Sequence, residues 1–226
     1  GEHMERKWYL DLWALIREPF KRGIPEIVEF GTTQRGFACA IGMVAISLAI
    51  SWIIEAGVSF ALGASALHLG VLLGVMAGAG IFTLVFYALI TFAVLAIYSV
   101  LFSQIANKFG AHTNHESILK ICWYQSAYSM VISLALSIIE VVLVLIIRGL
   151  SLDIYAPEIL LYIINFTYII LQIVLYIWCF WVSLTLMARQ IEKGRLATFG
   201  IGILASLIPV AFIGILVGMV MLATSR

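Results

Sequence analysis

Long apolar stretches alternate with short polar segments along most of the chain. An α-helix needs about 20 consecutive, mostly apolar residues to cross the hydrocarbon core of a bilayer. Five stretches reach that length, so the pattern predicts an all-α integral membrane protein with a bundle of five transmembrane helices. We expect the spans at residues 36–62, 67–106, 117–148, 158–187 and 196–222.

The second apolar stretch is too long for one simple crossing. Gly70, Gly74 and Gly78 form successive small-xxx-small steps, which allow helices to approach closely. The stretch is therefore either one long tilted helix or a broken one. We expect a break near residues 78–80, with a short helix before it and a span from about residue 79 to residue 104.

Polar side chains follow one face of the third span. They recur at intervals of three and four residues, which places them on one side of a helix; they are Cys122, Ser126, Ser129, Ser133, Ser137 and Glu140. Asn165, Tyr168 and Gln172 repeat this rhythm on the fourth span. Because polar groups inside lipid usually face the bundle interior, we predict that the two faces meet.

Two carboxylates within the spans are candidates for chemistry. Glu140 is either a proton- or ion-linked group in a polar cleft or a hydrogen-bonded group that fixes packing, with Asn165, Tyr168 or Arg148 as its partner. Glu55 lies at a similar depth in the first span, so both could line one cavity; alternatively, Glu55 reaches the interface. The serines are open to two interpretations, close helix packing or a pore lining.

The segment before the first span has an amphipathic pattern. Trp8, Leu12, Leu15, Ile16 and Phe20 gather on one side of a helical wheel; Asp11, Arg17, Glu18, Lys21 and Arg22 gather on the other. This pattern predicts a helix in the membrane interface, interrupted at Pro19, or a helix packed on the protein's own surface, and the two are compatible. The expected interface residues are Trp8, Trp13, Phe20, Lys21 and Arg22.

The pattern divides the chain into three parts. Residues 1–3 have the character of a tag remnant, residues 4–35 form the cytoplasmic or interfacial segment, and residues 36–226 form the membrane domain. Between the second and third spans, Thr113-x-x-Glu116 predicts a capping box that begins the third helix. His112 and His115 in this loop do not have the spacing of a known zinc motif, and we expect no metal there.

Composition agrees with the membrane class and limits the function. The chain has 226 residues, 63% hydrophobic and 11% charged, whereas soluble domains have about 25% charged residues. A net charge of +1 does not indicate a nucleic-acid partner. Because no nucleophile set, metal set or phosphate-binding loop is visible, we expect neither an enzyme nor a cofactor.

The positive residues predict an orientation. If five helices span the membrane, the Lys and Arg residues fall on one side, apart from Arg148 and Arg226. Positive residues concentrate on the cytoplasmic side, so we expect the N-terminus in the cytoplasm and the C-terminus outside.

The order of these features resembles the Yip1 domain family. A short helix with Pro19 precedes the spans, a loop with Gly110 precedes the third span, and Ser117–Lys120 and Tyr124–Tyr128 follow that loop. The resemblance implies a five-span fold. Eukaryotic members act in vesicle traffic and contact prenylated small GTPases, partly through a long cytosolic N-terminal region that this sequence does not contain. The compact form is similar to prokaryotic members, which implies the cell membrane of a prokaryote.

Two functions remain open from the sequence. We expect a non-enzymatic protein that organises membranes or acts in trafficking through contacts with other helices and the lipid bilayer, as a homo-oligomer. The alternative is a small proton- or ion-linked transporter or channel that uses Glu140 and Glu55.

Overall fold

The computed structural model describes residues 7–61, 66–152 and 158–224, and every element in these ranges is helical. Two short helices and a single π-helical turn precede five long helices. In chain order the elements are α1 (Trp8–Arg17), the π turn (Pro19–Gly23), α2 (Ile24–Phe30), α3 (Thr33–Ala61), α4 (Ala66–Lys108), α5 (His115–Leu152), α6 (Glu158–Gln190) and α7 (Arg195–Thr224).

Four of the long helices have a segment that is long and apolar enough to cross a membrane. These segments are Thr33–Gly57, Gly78–Lys108, His115–Ile146 and Tyr162–Gln190. In α7 the described apolar stretch, Arg195–Ala211, is shorter. A helical membrane protein is therefore supported, whereas a fifth span stays a prediction.

The break that we expected in the second apolar stretch is absent. α4 is one continuous helix of 43 residues, and it passes through residues 78–80 without interruption. Gly80 has a packing role there, because the indole ring of Trp52 from α3 occupies the place of its missing side chain. A break in apolar surroundings would also leave backbone N–H and C=O groups without hydrogen bonds, which is costly.

The start of α5 differs by one residue from the predicted capping box. The backbone N–H of Ser117 donates to Asn114 Oδ1 at 2.8 Å, so Asn114 is the cap. Thr113 is held in the loop instead, since its N–H and C=O both bond the side-chain amide of Asn107, at 3.0 and 2.9 Å. Gly110 turns this loop with φ +76, a left-handed conformation that glycine adopts without strain.

Packing is uneven along the bundle. The largest buried side chains lie towards the end where α4 finishes and α5 begins, and they include Phe102, Trp123, Tyr124 and Leu186. Towards the other end, large apolar side chains such as Phe86, Leu89 and Phe166 are more than half exposed. At about 1.5 Å per residue α4 is about 64 Å long, roughly twice the hydrocarbon thickness of about 30 Å. α4 is therefore longer than one perpendicular crossing requires.

Candidate functional site

The N-terminal segment folds back on itself as a helical hairpin, which we define as residues 8–30. α1 ends at Arg17, and Pro19 begins the π turn that reverses the chain, so the predicted interruption at Pro19 is confirmed. Gly23 permits the reversal because a Cβ at this position would lie 2.7 Å from Leu15 N and 2.9 Å from Ala14 C. The hairpin packs against α3, α5 and α6.

A buried carboxylate fastens the hairpin to the bundle. The sequence pattern placed Asp11 on the polar side of α1, but this residue is only 2% exposed. Its Oδ2 accepts a hydrogen bond of 2.7 Å from the Tyr124 hydroxyl and lies 3.5 Å from Arg35 Nε. The prediction was wrong because α3 and α5 supply a cation and a phenol, and a buried charge with such partners is tolerated.

Three further contacts hold the same hairpin. Lys120 Nζ donates to the carbonyl oxygen of Val28 at 3.0 Å, and Arg35 donates to the carbonyl oxygen of Phe30. These cations bind the C-terminal carbonyls of α2, where a helix favours positive charge. Cys39 Sγ donates to the carbonyl oxygen of Trp8 at 3.2 Å. The sequence analysis did not predict these three contacts. The only local sign of them was a lysine, Lys120, between apolar residues of α5.

The opposite face of the hairpin carries exposed apolar side chains, which we call the aromatic face. Tyr9, Trp13, Ile16 and Phe20 are 46%, 59%, 39% and 41% exposed. The Phe20 ring meets the Trp178 ring of α6 edge-to-face with 5.6 Å between centroids, so the aromatic surface continues onto the bundle.

Of the residues expected at the membrane interface, four are exposed and one packs against the protein. Trp13, Phe20, Lys21 and Arg22 are exposed, and Arg22 also pairs with Glu26 at 3.2 Å. Trp8 is partly buried, with its ring 2.8 Å from the Cβ position of Gly42 on α3. The hairpin packs on the protein with one face and leaves a second apolar face for its surroundings.

The predicted contact between the third and fourth spans exists at one point. The Tyr168 hydroxyl lies 3.3 Å from both Glu140 Oε2 and the carbonyl oxygen of Leu136. The Gln172 side chain lies near the same hydroxyl. Asn165 is exposed, and the side chain of Arg148 lies outside the described part of the chain. Glu140 itself is exposed, so this cluster lies at the edge of the α5–α6 contact.

The serines of the same stripe lie elsewhere than predicted. Ser133 and Ser137 line a cavity of about 310 Å³ between α3, α4 and α5, which we call the serine cavity; its other hydroxyl groups come from Ser47, Ser51 and Tyr87. They face α3 and α4 instead of α6. Ser137 donates to the carbonyl oxygen of Ser133 at 3.0 Å. The short serine side chains stay on the α3 side of the stripe, whereas the longer Glu140 side chain reaches α6.

None of the cavities found among the described residues is lined by both carboxylates. Neither Glu55 nor Glu140 lines the serine cavity. Glu55 is exposed on α3, and within the described ranges no hydrogen bond or ion pair of its side chain is found. The shared cavity proposed from their similar depth is therefore not observed.

Metal-binding chemistry has little support in the described ranges. No group of three or more His, Cys, Asp or Glu residues is close enough there to hold a metal ion. Cys39, Cys122 and Cys179 are buried free thiols.

Known proteins add no further guide to this site. Comparison of the chain with family models, with curated proteins and with solved structures finds no match in any of the three. Function is therefore argued from the side chains and contacts described above.

Proposed function

We propose that the chain is a Yip1-like protein with five spans that organises its membrane through helix and lipid contacts, without catalysing a reaction. The observation that carries this proposal is the hairpin, which is fastened to the bundle by Asp11 and presents the aromatic face on its other side. The same role includes membrane trafficking; a contact with prenylated small GTPases is implied by the family resemblance alone.

The position of the aromatic face supports insertion into one leaflet. Phe20 meets Trp178, and α6 exposes large apolar side chains on both sides of this level, from Tyr162 to Trp181. The aromatic face continues this apolar surface and would insert into the same leaflet. Lys7, Arg17 and Lys21 are exposed beside it and suit lipid phosphates. A rigid wedge in one leaflet expands that leaflet and favours curvature.

Reconstitution in vesicles that contain anionic lipid tests this proposal. We expect the wild-type protein to narrow or tubulate the vesicles in electron micrographs, and Trp13→Ser with Phe20→Ser to abolish most of this effect. Phe109→Ser is the matched control, because Phe109 is 60% exposed but lies outside the hairpin. Unchanged vesicle shape with the wild-type protein, or equal remodelling by the double variant, would overturn the proposal.

A homo-oligomer is the assembly that we propose. Glu55 and Glu140 are exposed on membrane helices, and a carboxylate that faces lipid is energetically costly. A second copy of the chain would cover these groups and supply polar partners. We expect Glu55→Gln to change the ratio of monomer to dimer in native mass spectra.

A proton- or ion-linked transporter is the second candidate. The serine cavity and the hydrogen bond between Tyr168 and Glu140 favour it, because both place polar side chains within the spans. Flux measurements in vesicles separate the candidates. Proton or ion flux that is lost in Glu140→Gln would support transport; no flux from the wild-type protein would remove this candidate.

A further inference from the structure

A second surface depression lies on the opposite side of α5 from the serine cavity. It is a groove of about 440 Å³ between α4, α6 and α7, with Gln125 of α5 contributing to its lining. We call it the α7 groove. Its volume falls in the range of about 300–1,000 Å³ that is typical of ligand pockets.

The groove is apolar and open towards the surroundings of the bundle. Its lining includes Phe102, Phe180, Met187, Phe199, Ile203 and Val210. Phe180, Phe199 and Val210 are 52%, 42% and 65% exposed, so their rings and methyl groups form the open side. Along α7 the lining runs from Thr198 to Val210, about 18 Å at about 1.5 Å per residue. This elongated shape suits a single hydrocarbon chain.

The polar groups of the groove differ in whether they have a hydrogen-bond partner among the residues described. The Thr198 and Ser206 hydroxyls donate to the carbonyl oxygens of Gly194 and Gly202 at 3.0 and 2.9 Å, and Gln125 Nε2 donates to the carbonyl oxygen of Ser183 at 2.7 Å. The Tyr98 hydroxyl also lines the groove, and no hydrogen bond of this group is found among the residues described. A hydroxyl in apolar surroundings favours a ligand that supplies an acceptor, such as an ester carbonyl.

A cation lies beside the groove. The Arg195 guanidinium is 4.5 Å from the centroid of the Trp181 ring, and its Nε donates to Thr185 Oγ1 at 2.9 Å. Arg195 precedes the lining residue Phe199 by one helical turn, and its side chain is exposed. With Nε already bonded, the terminal nitrogens are the groups that can bind a phosphate.

The neighbouring charges reinforce a preference for anions. The segment from residue 189 to residue 195 contains Arg189, Lys193 and Arg195 and one acid, Glu192. Lys193 Nζ lies 3.5 Å from the Cβ position of Gly110, so it is held over the loop between α4 and α5. This excess of positive charge complements an anionic headgroup better than a zwitterionic one.

We propose that the α7 groove binds one anionic phospholipid from the surrounding bilayer. Its acyl chain lies along α7 between Phe199 and Val210, its phosphate binds Arg195, and the Tyr98 hydroxyl donates to an ester oxygen. The site is separate from the hairpin and does not depend on membrane remodelling. It requires only that the chain is embedded in lipid.

Native mass spectrometry of the full chain in detergent tests the site. The probes are phosphatidylglycerol and phosphatidylcholine with identical acyl chains. We expect the wild-type protein to retain one phosphatidylglycerol and to bind it at least about tenfold more tightly than phosphatidylcholine.

Two glycines of α7 provide a matched pair of variants. A Cβ at Gly202 would lie 3.4 Å from the Tyr98 hydroxyl and 3.9 Å from Phe102, so Gly202→Leu fills the groove. A Cβ at Gly200 has no neighbour within 4 Å, so Gly200→Leu adds the same bulk outside it. We expect lipid retention to be lost in Gly202→Leu alone, with both variants keeping the wild-type elution profile. Retention by Gly202→Leu at the wild-type ratio would overturn the proposal.

A charge variant tests the headgroup assignment separately. Arg195→Gln is expected to keep the acyl-chain site but to bind the two lipids equally, whereas Lys108→Gln, at an exposed cation that does not line the groove, keeps the wild-type preference. Equal binding of both lipids by the wild-type protein would contradict the role of Arg195. Because this measurement needs no vesicle, its failure is distinguishable from a failure of the remodelling experiment.

Discussion

Asp11 shows how a single buried charge can control the position of a whole segment. Tyr124 donates to its carboxylate, Arg35 lies within ion-pair distance, and all three groups come from different helices. Removing one partner of a buried charge leaves that charge desolvated and incompletely compensated. The loss in the free energy of unfolding is larger than the loss from breaking an ion pair on the surface.

Tyr124→Phe is expected to destabilise the protein by about 1.5–3 kcal/mol, the usual contribution of a hydrogen bond to a charged group. The loss should appear in denaturant unfolding of the detergent-solubilised protein and as faster hydrogen exchange in α1. Tyr162→Phe is the control, because Tyr162 is 73% exposed and no hydrogen bond of its hydroxyl is found in the described ranges. Equal stability of the two variants would show that the Tyr124 bond does not fasten the hairpin.

The sequence predicted some residues of the candidate sites and missed others for a physical reason. Tyr168 was one of three partners considered for Glu140, because helical spacing alone places both on polar faces. Asp11 was assigned to the wrong side, because the local pattern of α1 does not contain Tyr124, which is 113 residues away. Local periodicity identifies a helix face, but it does not identify the element that covers that face.

At the level of elements, the packing of α4 against α3 depends on which of its glycines contacts a side chain of the neighbouring helix. The regular spacing of Gly70, Gly74 and Gly78 predicted close helix contacts, yet none of their Cβ positions has an atom within 4 Å in the described part of the structure. Gly80 lies outside that spacing and accepts the Trp52 ring. The sequence contains no sign of this difference, since the ring belongs to α3.

Gly80→Ala and Gly78→Ala should therefore have opposite effects on stability. The methyl group at residue 80 collides with Trp52, and we expect a loss of about 1–3 kcal/mol from overpacking. At residue 78 the methyl group meets open space, and alanine should stabilise the helix by up to about 1 kcal/mol. Thermal unfolding in detergent measures both changes.

Trp52→Ala provides the rescue experiment for this pair. In a protein that already carries Trp52→Ala, the ring that collides with the new methyl group is absent. Adding Gly80→Ala to that variant should therefore not lower its stability. A Gly80→Ala variant as stable as the wild-type protein would contradict the observed contact between α3 and α4.

The whole molecule is polarised along its long axis. The well-packed core and the hairpin lie at one end, while large exposed apolar side chains dominate the other. Lys108, Lys193 and Arg195 lie at the packed end, next to the ends of α4, α6 and α7. The positive-inside rule predicts that this end faces the cytoplasm.

Cysteine labelling tests this orientation. Because the native cysteines are buried, background labelling should be low, and single replacements Lys108→Cys and Lys193→Cys can be compared directly. We expect a membrane-impermeant maleimide to label both in inside-out vesicles and neither in intact cells, whereas a permeant maleimide labels both in each case. Labelling of either site from outside intact cells would reverse the proposed orientation.

The long sequence separation between Asp11 and Tyr124 also sets an order of events during synthesis. The 113 residues between them take about 6–23 s to translate at about 5–20 residues per second. Throughout that interval the newly made N-terminal segment has no α5 to pack on, and both of its apolar sides need cover. The bilayer surface can bury these apolar sides. We therefore expect the segment to bind the lipid surface first and to dock on the bundle only after α5, with Tyr124, has been synthesised.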